Sequence, residues 1–365
     1  MVETNLLSLS YGRVIRKAIN VIGGLRPESY ETYNIVEEGD VVLRMTDLQN
    51  DKKSIRVGQA LERGLITSAY ITVRPDTTKA DPRFIAAVLR AYDIQKAYYE
   101  MGAGVRQNLG YAELIDLPIP MPSLEIQKRI ADYLDRETGE IDAMVAKLDE
   151  LTKTLEIRRT TVIASIAGIN RAKETRPLQW LATLTTGSTP SGGSGEENFA
   201  TEGAVGWVTP EDLHSTLALT RFPTAAALDQ LTVVPSHSTL VCGIGSVGKL
   251  GFAETPVTTN QQVTAAIPRD GVHGRYLYYA LAAEKEQLLA NTVTTTLPII
   301  NNARLGSLTI KLCSPGEQRR IADHLDDVIS KIDQMLAKTA ELKALLLERR
   351  SALITEVVTG RKDPA

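Results

Sequence analysis

The sequence predicts an α+β fold in which two mixed globular domains are separated by two long coiled-coil-like helices, arranged as a pseudo-twofold internal repeat. Three observations predict it. A shift of 191 positions aligns residues 127–159 with residues 318–350 without a gap. Each of these stretches carries apolar residues at seven-residue spacing, which is typical of a coiled-coil seam. Short apolar runs typical of strands precede each stretch.

The repeat is densest in the helical stretches, where many residues are identical at the shifted positions. The identical pairs include Gln127/Gln318, Arg129/Arg320, Ala131/Ala322, Asp135/Asp326, Asp142/Asp333, Met144/Met335, Lys147/Lys338, Leu151/Leu342 and Arg158-Arg159/Arg349-Arg350. So many identities at one shift do not arise by chance. Upstream the likeness is weaker, and the stretch from Leu178 through residues 188–195 has no counterpart before Met1. We therefore expect the first globular domain to be shortened at its beginning.

These observations divide the chain of 365 residues into four parts. They are a first globular domain at 1–122, a central helix at 123–170, a second globular domain at 171–314 and a C-terminal helix at 315–360. Proline-rich segments mark both helix starts, because proline is tolerated only in the first turn. A helix of about 40 residues rises roughly 60 Å, so we expect the helices to act as spacers.

The apolar stripes predict which residues pack between the two helices. In the first helix they are Leu134, Ile141, Met144, Leu148, Leu151, Leu155 and Val162, and in the second Ile321, Leu325, Val328, Ile332, Met335, Leu342, Leu346 and Leu353. We expect all of them to form the seam.

The globular parts have the signals of a mixed fold. Strand-like runs occur at 41–43, 69–73, 239–241 and 262–267, and helical patterns occur at 81–101 and 275–291. Each globular domain is therefore predicted to be α+β.

Composition restricts the function. The formal net charge of −3 is atypical of a protein that coats nucleic acid indiscriminately, because such proteins neutralise phosphates with a basic excess. Two cysteines give no disulfide framework and favour a reducing cytoplasm. The four histidines are scattered, so we expect no metal site. No run of roughly 18 uncharged apolar residues offers a membrane span.

Residues 243–250 match the G-x-G-x-x-G pattern and come within one residue of a P-loop. A P-loop needs Ser or Thr after its lysine, and Leu250 stands there. A nucleotide site of either kind also needs a following helix, which Gly251 and Pro256 oppose. We interpret the segment as a glycine turn between strands. No other catalytic motif is present, so we expect a non-catalytic chain.

Several segments, taken in order, resemble the specificity subunits of type I restriction-modification systems. They are residues 7–13, 27–31, 47–51, 102–107, 118–122, 127–135, 316–322 and 358–360. The resemblance implies two target-recognition domains, each reading one half of a bipartite site on double-stranded DNA. It also implies that the two long helices are antiparallel and set the gap between the halves. They would dock two modification (methyltransferase) subunits, which a restriction (translocase and nuclease) subunit joins. This chain would bind no cofactor, with S-adenosylmethionine, ATP and Mg²⁺ expected on the partner subunits.

Arg, Gln and Asn side chains suit contacts with base edges, and the resemblance favours certain loop residues as DNA contacts. In the first domain they are Tyr11, Arg13, Arg44, Gln49, Asn50, Arg106, Gln107 and Asn108; in the second they are Ser188, Thr189, Lys249, Asn301 and Asn302. The alternative is a solvated loop whose polar side chains cap backbone groups. Residues 260–262 lead into an apolar strand, so we expect a structural role there.

The paired arginines on the helices suggest a second kind of contact, with a partner protein. Arg158, Arg159, Arg349 and Arg350 occupy matching places in the repeat, which favours docking of a modification subunit. A solvated face or an ion pair is the alternative. For the whole chain the alternatives are a coiled-coil scaffold or a decayed specificity subunit that binds proteins without DNA selectivity, and, third, a nucleotide hydrolase or nuclease centred on residues 243–249.

Overall fold

The structure is a computed structural model that describes residues 5–17, 32–49, 55–101, 108–167, 174–214, 216–294 and 297–364. The chain forms two compact units: unit 1 comprises residues 1–149 and 339–365, and unit 2 comprises residues 150–338. Both contain strands and helices, which confirms the α+β prediction. The division into four domains made from the sequence stays a prediction.

Unit 1 combines short antiparallel strands with helices. Its elements are β1 (Leu7–Ser10), β2 (Arg13–Arg16), β3 (Asn34–Val36), β4 (Val41–Leu43), β5 (Val57–Gln59), β6 (Gly64–Ile66), β7 (Ile71–Val73), α1 (Pro82–Ile94), α2 (Tyr98–Met101), α3 (Tyr111–Leu114) and the first part of α4 (Leu124–Ala167). The strands pair as β1-β2, β3-β6 and β5-β4-β7. The end of the second long helix, from residue 339 onward, also belongs to this unit.

Unit 2 is built on a four-stranded antiparallel sheet whose strands, in spatial order, are Leu250–Ala253, Ser238–Cys242, Val263–Pro268 and Ala182–Thr186. Its elements are β8 (Glu174–Pro177), α5 (Leu178–Leu181), β9 (Ala182–Thr186), β10 (Phe199–Ala200), β11 (Gly206–Val208), β12 (Phe222–Pro223), α6 (Ala225–Leu228), β13 (Ser238–Cys242), β14 (Leu250–Ala253), β15 (Val257–Thr259), β16 (Val263–Pro268), α7 (Gly274–Ala283), α8 (Lys285–Ala290), β17 (Val293–Thr294), β18 (Pro298–Ile299), α9 (Asn302–Gly306), β19 (Thr309–Leu312) and most of α10 (Pro315–Val358).

The predicted strands and helices of the globular parts are confirmed as β4, β7, β13 and β16, and as α1 with α2 and α7 with α8. The apolar alternation and length of these segments carried enough information for the sequence to predict them. In unit 1 the apolar face of α1 packs on the core through Phe84 and Leu89. In unit 2 Tyr276 and Leu277 of α7 lie in the corresponding core.

The two long helices are confirmed: α4 and α10 each run for 44 residues. In unit 1 Arg350 Nε donates to Asp142 Oδ1 at 2.9 Å, and Lys343 Nζ donates to Asp149 Oδ1 at 2.5 Å. A step forward along α4 is thus a step backward along α10, so the helices are antiparallel there. In unit 2 Arg159 of α4 reaches Asp333 of α10 at 2.9 Å.

Buried glutamines at matching positions of the repeat attach each long helix to its globular part. Gln127 Oε1 accepts from Asp81 N at 2.9 Å, and its Nε2 donates to the carbonyls of Lys79 and Pro122 at 3.2 and 2.8 Å. Asp81 also caps the start of α1. The glutamine therefore joins the start of α4 to the start of α1.

Gln318 makes the same three bonds in unit 2. Its Oε1 accepts from His273 N at 2.8 Å, and its Nε2 donates to the carbonyls of Gly271 and Cys313 at 3.2 and 2.9 Å. His273 is the residue before α7. Both glutamines are buried to about 1% exposure, so the repeat seen in the sequence is also a repeat of contacts.

The seam is narrower than predicted. Ile141, Leu155, Ile332 and Leu353 are buried, as the apolar stripes predict. The prediction is wrong for four residues that were placed in the seam, because their side chains are exposed: Met144, Leu151, Met335 and Leu342. A stripe with a strict seven-residue repeat drifts by about 20° per heptad around a straight helix of 3.6 residues per turn. Unless the helices supercoil enough to cancel this drift, part of the stripe turns away from the partner helix.

Candidate nucleic-acid interface

The tip of the β1–β2 hairpin in unit 1 holds two of the predicted DNA contacts. Tyr11 has φ 47°, and it is 85% exposed. Gly12 follows with φ 76°, and a Cβ there would lie 2.5 Å from Ile55 Cγ2, so only glycine fits this turn. The hairpin thus presents the Tyr11 ring to solvent.

Arg13 begins β2 and is held by a carboxylate. Its NH2 lies 2.7 Å from Asp142 Oδ2, the carboxylate that also pairs with Arg350. Beside them Arg90 NH2 donates to the carbonyl of Gly12, and its buried Nε has no partner among the residues described for this unit. Burial, with Arg350 adding to it, lowers the pKa of Arg90 to about 10. Arg90 therefore remains charged at neutral pH.

The loop after β4 in unit 1 is organised by a buried arginine that the sequence analysis missed. Arg56 is 0% exposed; its NH1 donates to the carbonyls of Arg44 and Thr46 at 3.1 and 2.7 Å. Its NH2 donates to the carbonyl of Asp47 at 3.2 Å. A single guanidinium thus fixes the loop that carries Arg44 and Gln49. No pattern in the sequence distinguishes Arg56 from a surface arginine.

The structure describes three of the remaining predicted contacts of unit 1 and leaves the other three outside its described residues. Asn108 is exposed, and its Oδ1 accepts from Asp47 N at 2.7 Å, so it joins the Arg56-held loop. Gln49 is exposed and Arg44 is half-buried. Asn50, Arg106 and Gln107 lie outside the described residues.

The glycine segment of unit 2 is a turn between antiparallel strands. It links β13 to β14, with Gly245 at φ 82° and Gly248 at φ 90°. Because a strand follows the turn, the helix that a P-loop requires is absent, and the nucleotide-site alternative is wrong. Lys249 Nζ donates to the carbonyls of Pro210 and Glu211 at 2.6 and 3.2 Å, so its amine holds a neighbouring loop.

Four other predicted contacts of unit 2 lie in exposed segments and hydrogen-bond within the protein. Ser188 N donates to Thr259 O at 2.9 Å, and Thr189 Oγ1 donates to Gln261 Oε1 at 2.6 Å. The two asparagines Asn301 and Asn302 are exposed. The first caps α9 through Arg304 N at 2.9 Å, and the second accepts from Thr186 Oγ1 and Thr264 Oγ1 at 3.0 and 3.1 Å. The capping role that the sequence left as the alternative is present at Asn301.

A polar cavity of about 570 Å³ opens in unit 2 beside this surface. Thr189, Gln261 and Gln262 line it, together with Arg221, Trp207 and Glu211. Neither the arginine nor the tryptophan is among the DNA contacts predicted from the sequence. They lie together because Trp207 N donates to Arg221 O at 2.9 Å, a backbone pairing that no local sequence signal announces.

The paired arginines of the helices behave in two ways. Arg159 pairs with Asp333 in unit 2, and Arg350 pairs with Asp142 in unit 1, which is the ion-pair alternative of the sequence analysis. Arg158 and Arg349 are exposed.

The described part of the chain contains neither a candidate metal site nor a candidate membrane-spanning helix. No group of three or more His, Cys, Asp or Glu side chains could hold a metal ion there. Its helices include none with both the length and the apolar character needed to cross a membrane.

Comparisons with known proteins all match this chain to one family. The family model for the type I restriction modification DNA specificity domain matches residues 60–153 and 170–344, more than half of the chain. The EcoR124I/EcoR124II specificity subunit of Escherichia coli is 25% identical over 248 residues, which cover 62% of this chain and 59% of that protein. The MjaIX specificity subunit of Methanocaldococcus jannaschii is 31% identical over 153 residues, 38% of this chain and 35% of that protein. The chain therefore spans 59% or less of these two relatives.

A solved structure shares the fold. One chain of a type I R-M system, solved in a study of complex assembly and conformational transition, matches this chain with a TM-score of 0.70 at 19% identity. The match covers 91% of this chain and 84% of that one.

Proposed function

Because the chain belongs to the type I restriction-modification DNA specificity family, we propose that it is the DNA-recognition subunit of such a complex and that it reads a bipartite site. The observation that carries the proposal is the repeat of contacts: Gln127 and Gln318 attach each long helix to its globular part through the same three hydrogen bonds. Two related recognition units suit a target with two half-sites.

Each unit offers polar groups suited to reading DNA. In unit 1 Tyr11 is exposed at the tip of the β1–β2 hairpin, and Gln49 is exposed in the loop held by Arg56. In unit 2 Thr189 and Gln261 line a polar cavity. Gln and Arg side chains make bidentate contacts with base edges in the major groove. We assign the unit 1 residues to one half-site and the unit 2 residues to the other.

The long helices have two proposed roles. Their length sets the gap between the half-sites, because a helix rises about 1.5 Å per residue. They also dock two modification subunits, since an internal repeat presents similar surfaces twice. The exposed Arg158 and Arg349, at matching positions of the repeat, are our candidates for these docking contacts, with Arg159 and Arg350 holding the helices beside them.

The chemistry of the complex belongs to the partners in this proposal. The two relatives reported above are named specificity subunits, in line with the prediction of a non-catalytic chain. Methyl transfer from S-adenosylmethionine would be carried out by the modification subunits. ATP- and Mg²⁺-dependent translocation and cleavage would be carried out by a restriction subunit, and the complex would work in the cytoplasm.

A selection experiment tests the proposal. The chain, combined with its modification (methyltransferase) subunit, is offered a pool of duplexes with about 25 random base pairs, at a stated salt concentration because phosphate contacts are salt-dependent. We expect enrichment of two short sequence blocks separated by a gap without preference. A scaffold or decayed subunit would assemble with the methyltransferase and enrich no sequence, which would refute the proposed DNA recognition.

A further inference from the structure

The cavity in unit 2 contains an arginine whose side chain is stacked on aromatic rings. The Cζ of Arg221 lies 4.9 Å from the centroid of the Trp207 ring and 5.8 Å from that of Phe199. The two rings are themselves 4.5 Å apart between centroids, and both are buried. A guanidinium at these distances makes a cation–π contact, which uses none of its N–H groups as hydrogen-bond donors to an oxygen acceptor.

Within the part of the chain that the structure describes, the Arg221 guanidinium makes no salt bridge with a carboxylate. Its side chain is half-buried. The stacked arginine therefore keeps its five donors for an external acceptor.

Other hydrogen-bond donors line the same cavity. The indole N–H of Trp207 is buried and finds no acceptor within the described structure. The carbonyl oxygens of the Gln261 and Gln262 amides are occupied, by Thr189 Oγ1 at 2.6 Å and by Asn260 Nδ2 at 3.1 Å. Asn260 Oδ1 accepts from Gln262 N at 3.1 Å, so Asn260 Nδ2 is the donor to the Gln262 oxygen, and the Gln262 NH₂ group remains a donor. Because the Thr189 hydroxyl can donate or accept, the Gln261 amide can present either its oxygen or its NH₂ group to the cavity. The cavity thus favours a ligand that is rich in acceptors.

One carboxylate decides between a phosphate and a base edge. Glu211 lines the cavity with Arg221, and its charge would repel a phosphate. In a G·C pair the guanine presents the acceptors O6 and N7 in the major groove, and the cytosine presents an N4 donor that suits a carboxylate. Arginine and glutamate together therefore match a G·C pair.

We propose that Arg221, held by Trp207 and Phe199, reads a guanine in the half-site recognised by unit 2. Glu211 faces the paired cytosine, and Gln261 and Gln262 contact the neighbouring base pair. This inference rests on the proposed function and adds a residue and a base to it. It reassigns residues 261 and 262, for which the sequence favours a structural role.

The test repeats the duplex selection with Arg221→Ala and Arg221→Lys in the full chain with its methyltransferase. Lysine keeps the charge and loses the planar fork, so it separates bidentate reading from simple attraction. Arg269→Ala is the matched control, because Arg269 is an exposed arginine of the same unit outside the cavity lining. Thermal unfolding of each variant checks that unit 2 remains folded, and the lysine variant serves if the alanine variant does not.

In the wild type we expect one guanine in one block whose replacement lowers affinity roughly 5- to 150-fold, as for one bidentate contact. Replacing that guanine by 7-deazaguanine, which lacks the N7 acceptor, should weaken wild-type binding. Both Arg221 variants should lose the guanine preference and the sensitivity to 7-deazaguanine, and the Arg269 variant should keep both.

Two results would overturn the inference alone. The Arg221 variants could enrich the same two blocks with the guanine intact. They could instead weaken all sequences equally while the salt dependence of binding falls by about one phosphate contact, as expected for a phosphate ligand. A wild-type chain that enriches no sequence would refute the proposed function itself, so the two failures are distinguishable.

Discussion

Neutralising Asp142 should destabilise unit 1 more than neutralising its repeat counterpart destabilises unit 2. Asp142 accepts from Arg13 at 2.7 Å and from Arg350 at 2.9 Å, and Arg90 lies in the same electrostatic environment. Asp142→Asn leaves three arginines without this carboxylate. Asp333→Asn, the matched change, removes one bond, from Arg159 at 2.9 Å.

The expected loss of stability follows from how exposed the paired side chains are. The side chains of Asp142 and Arg350 are 28% and 15% exposed, so their bond approaches the roughly 1.5–3 kcal/mol of a charged hydrogen bond. Arg13 is 66% exposed, and its bond contributes at most about 1 kcal/mol. We expect a loss of about 3 kcal/mol for Asp142→Asn. Arg159 and Asp333 are 25% and 31% exposed, and we expect about 1.5 kcal/mol for Asp333→Asn because one bond is lost and solvent screens it.

The assay is hydrogen exchange followed by mass spectrometry, read separately for the two units. Amides of α1, such as Val88 and Leu89, report on the unit 1 core, and a loss of about 3 kcal/mol accelerates their exchange roughly 150-fold where exchange requires global opening of that unit. Both tryptophans, Trp180 and Trp207, lie in unit 2, so fluorescence during urea unfolding follows that unit. Equal losses for the two substitutions, or a larger loss for Asp333→Asn, would refute the reasoning about three arginines and one carboxylate.

Three further predictions concern the same architecture. Gln127→Ala and Gln318→Ala should each cost about 2–4 kcal/mol in their own unit, because each leaves buried backbone groups unpaired, and urea unfolding monitored per unit checks this. Burial raises the pKa of Asp81, but hydrogen bonds from Arg83 outweigh that effect and leave the pKa below its ordinary value of 3.8. This contribution is therefore complete above the unfolded pKa and is lost as the pH falls through the folded one; a pH series should show unit 1 weakening below about pH 4, and less so in Asp81→Asn. Gly187→Ala should destabilise unit 2 by about 2 kcal/mol or more, because its Cβ would lie 2.0 Å from a carbonyl oxygen of β15; normal stability in thermal unfolding would contradict that.

The sequence predicts the parts of the fold that repeat or that have a strong period. The gapless shift of residues 127–159 onto 318–350 locates both long helices, because helices encode their structure locally. The seam was predicted too wide, since heptad spacing alone does not say that Met144 and Leu342 lie outside the contact. The glycine turn at Gly245 and Gly248 was predicted correctly, because a missing helix can be read from Gly251 and Pro256.

The candidate site was harder to predict for a physical reason. Side chains such as Arg56 and Arg221 acquire their roles from contacts with residues distant in sequence, the first with Thr46 and the second with Trp207. Nothing in their immediate neighbours marks them. Tyr11, Gln49 and Thr189 were accessible to sequence reasoning because loops with turn residues are exposed.

Under the proposed function, two repeat-related units read separate halves of one DNA site. The most direct test compares the duplex selections of two variants: one in unit 1, Tyr11→Ala with Gln49→Ala, and one in unit 2, Thr189→Ala with Arg221→Ala. We predict that the first variant flattens one sequence block and leaves the other intact, and that the second variant does the reverse. If either variant flattens both blocks, or if both variants flatten the same block, the two units do not read separate halves.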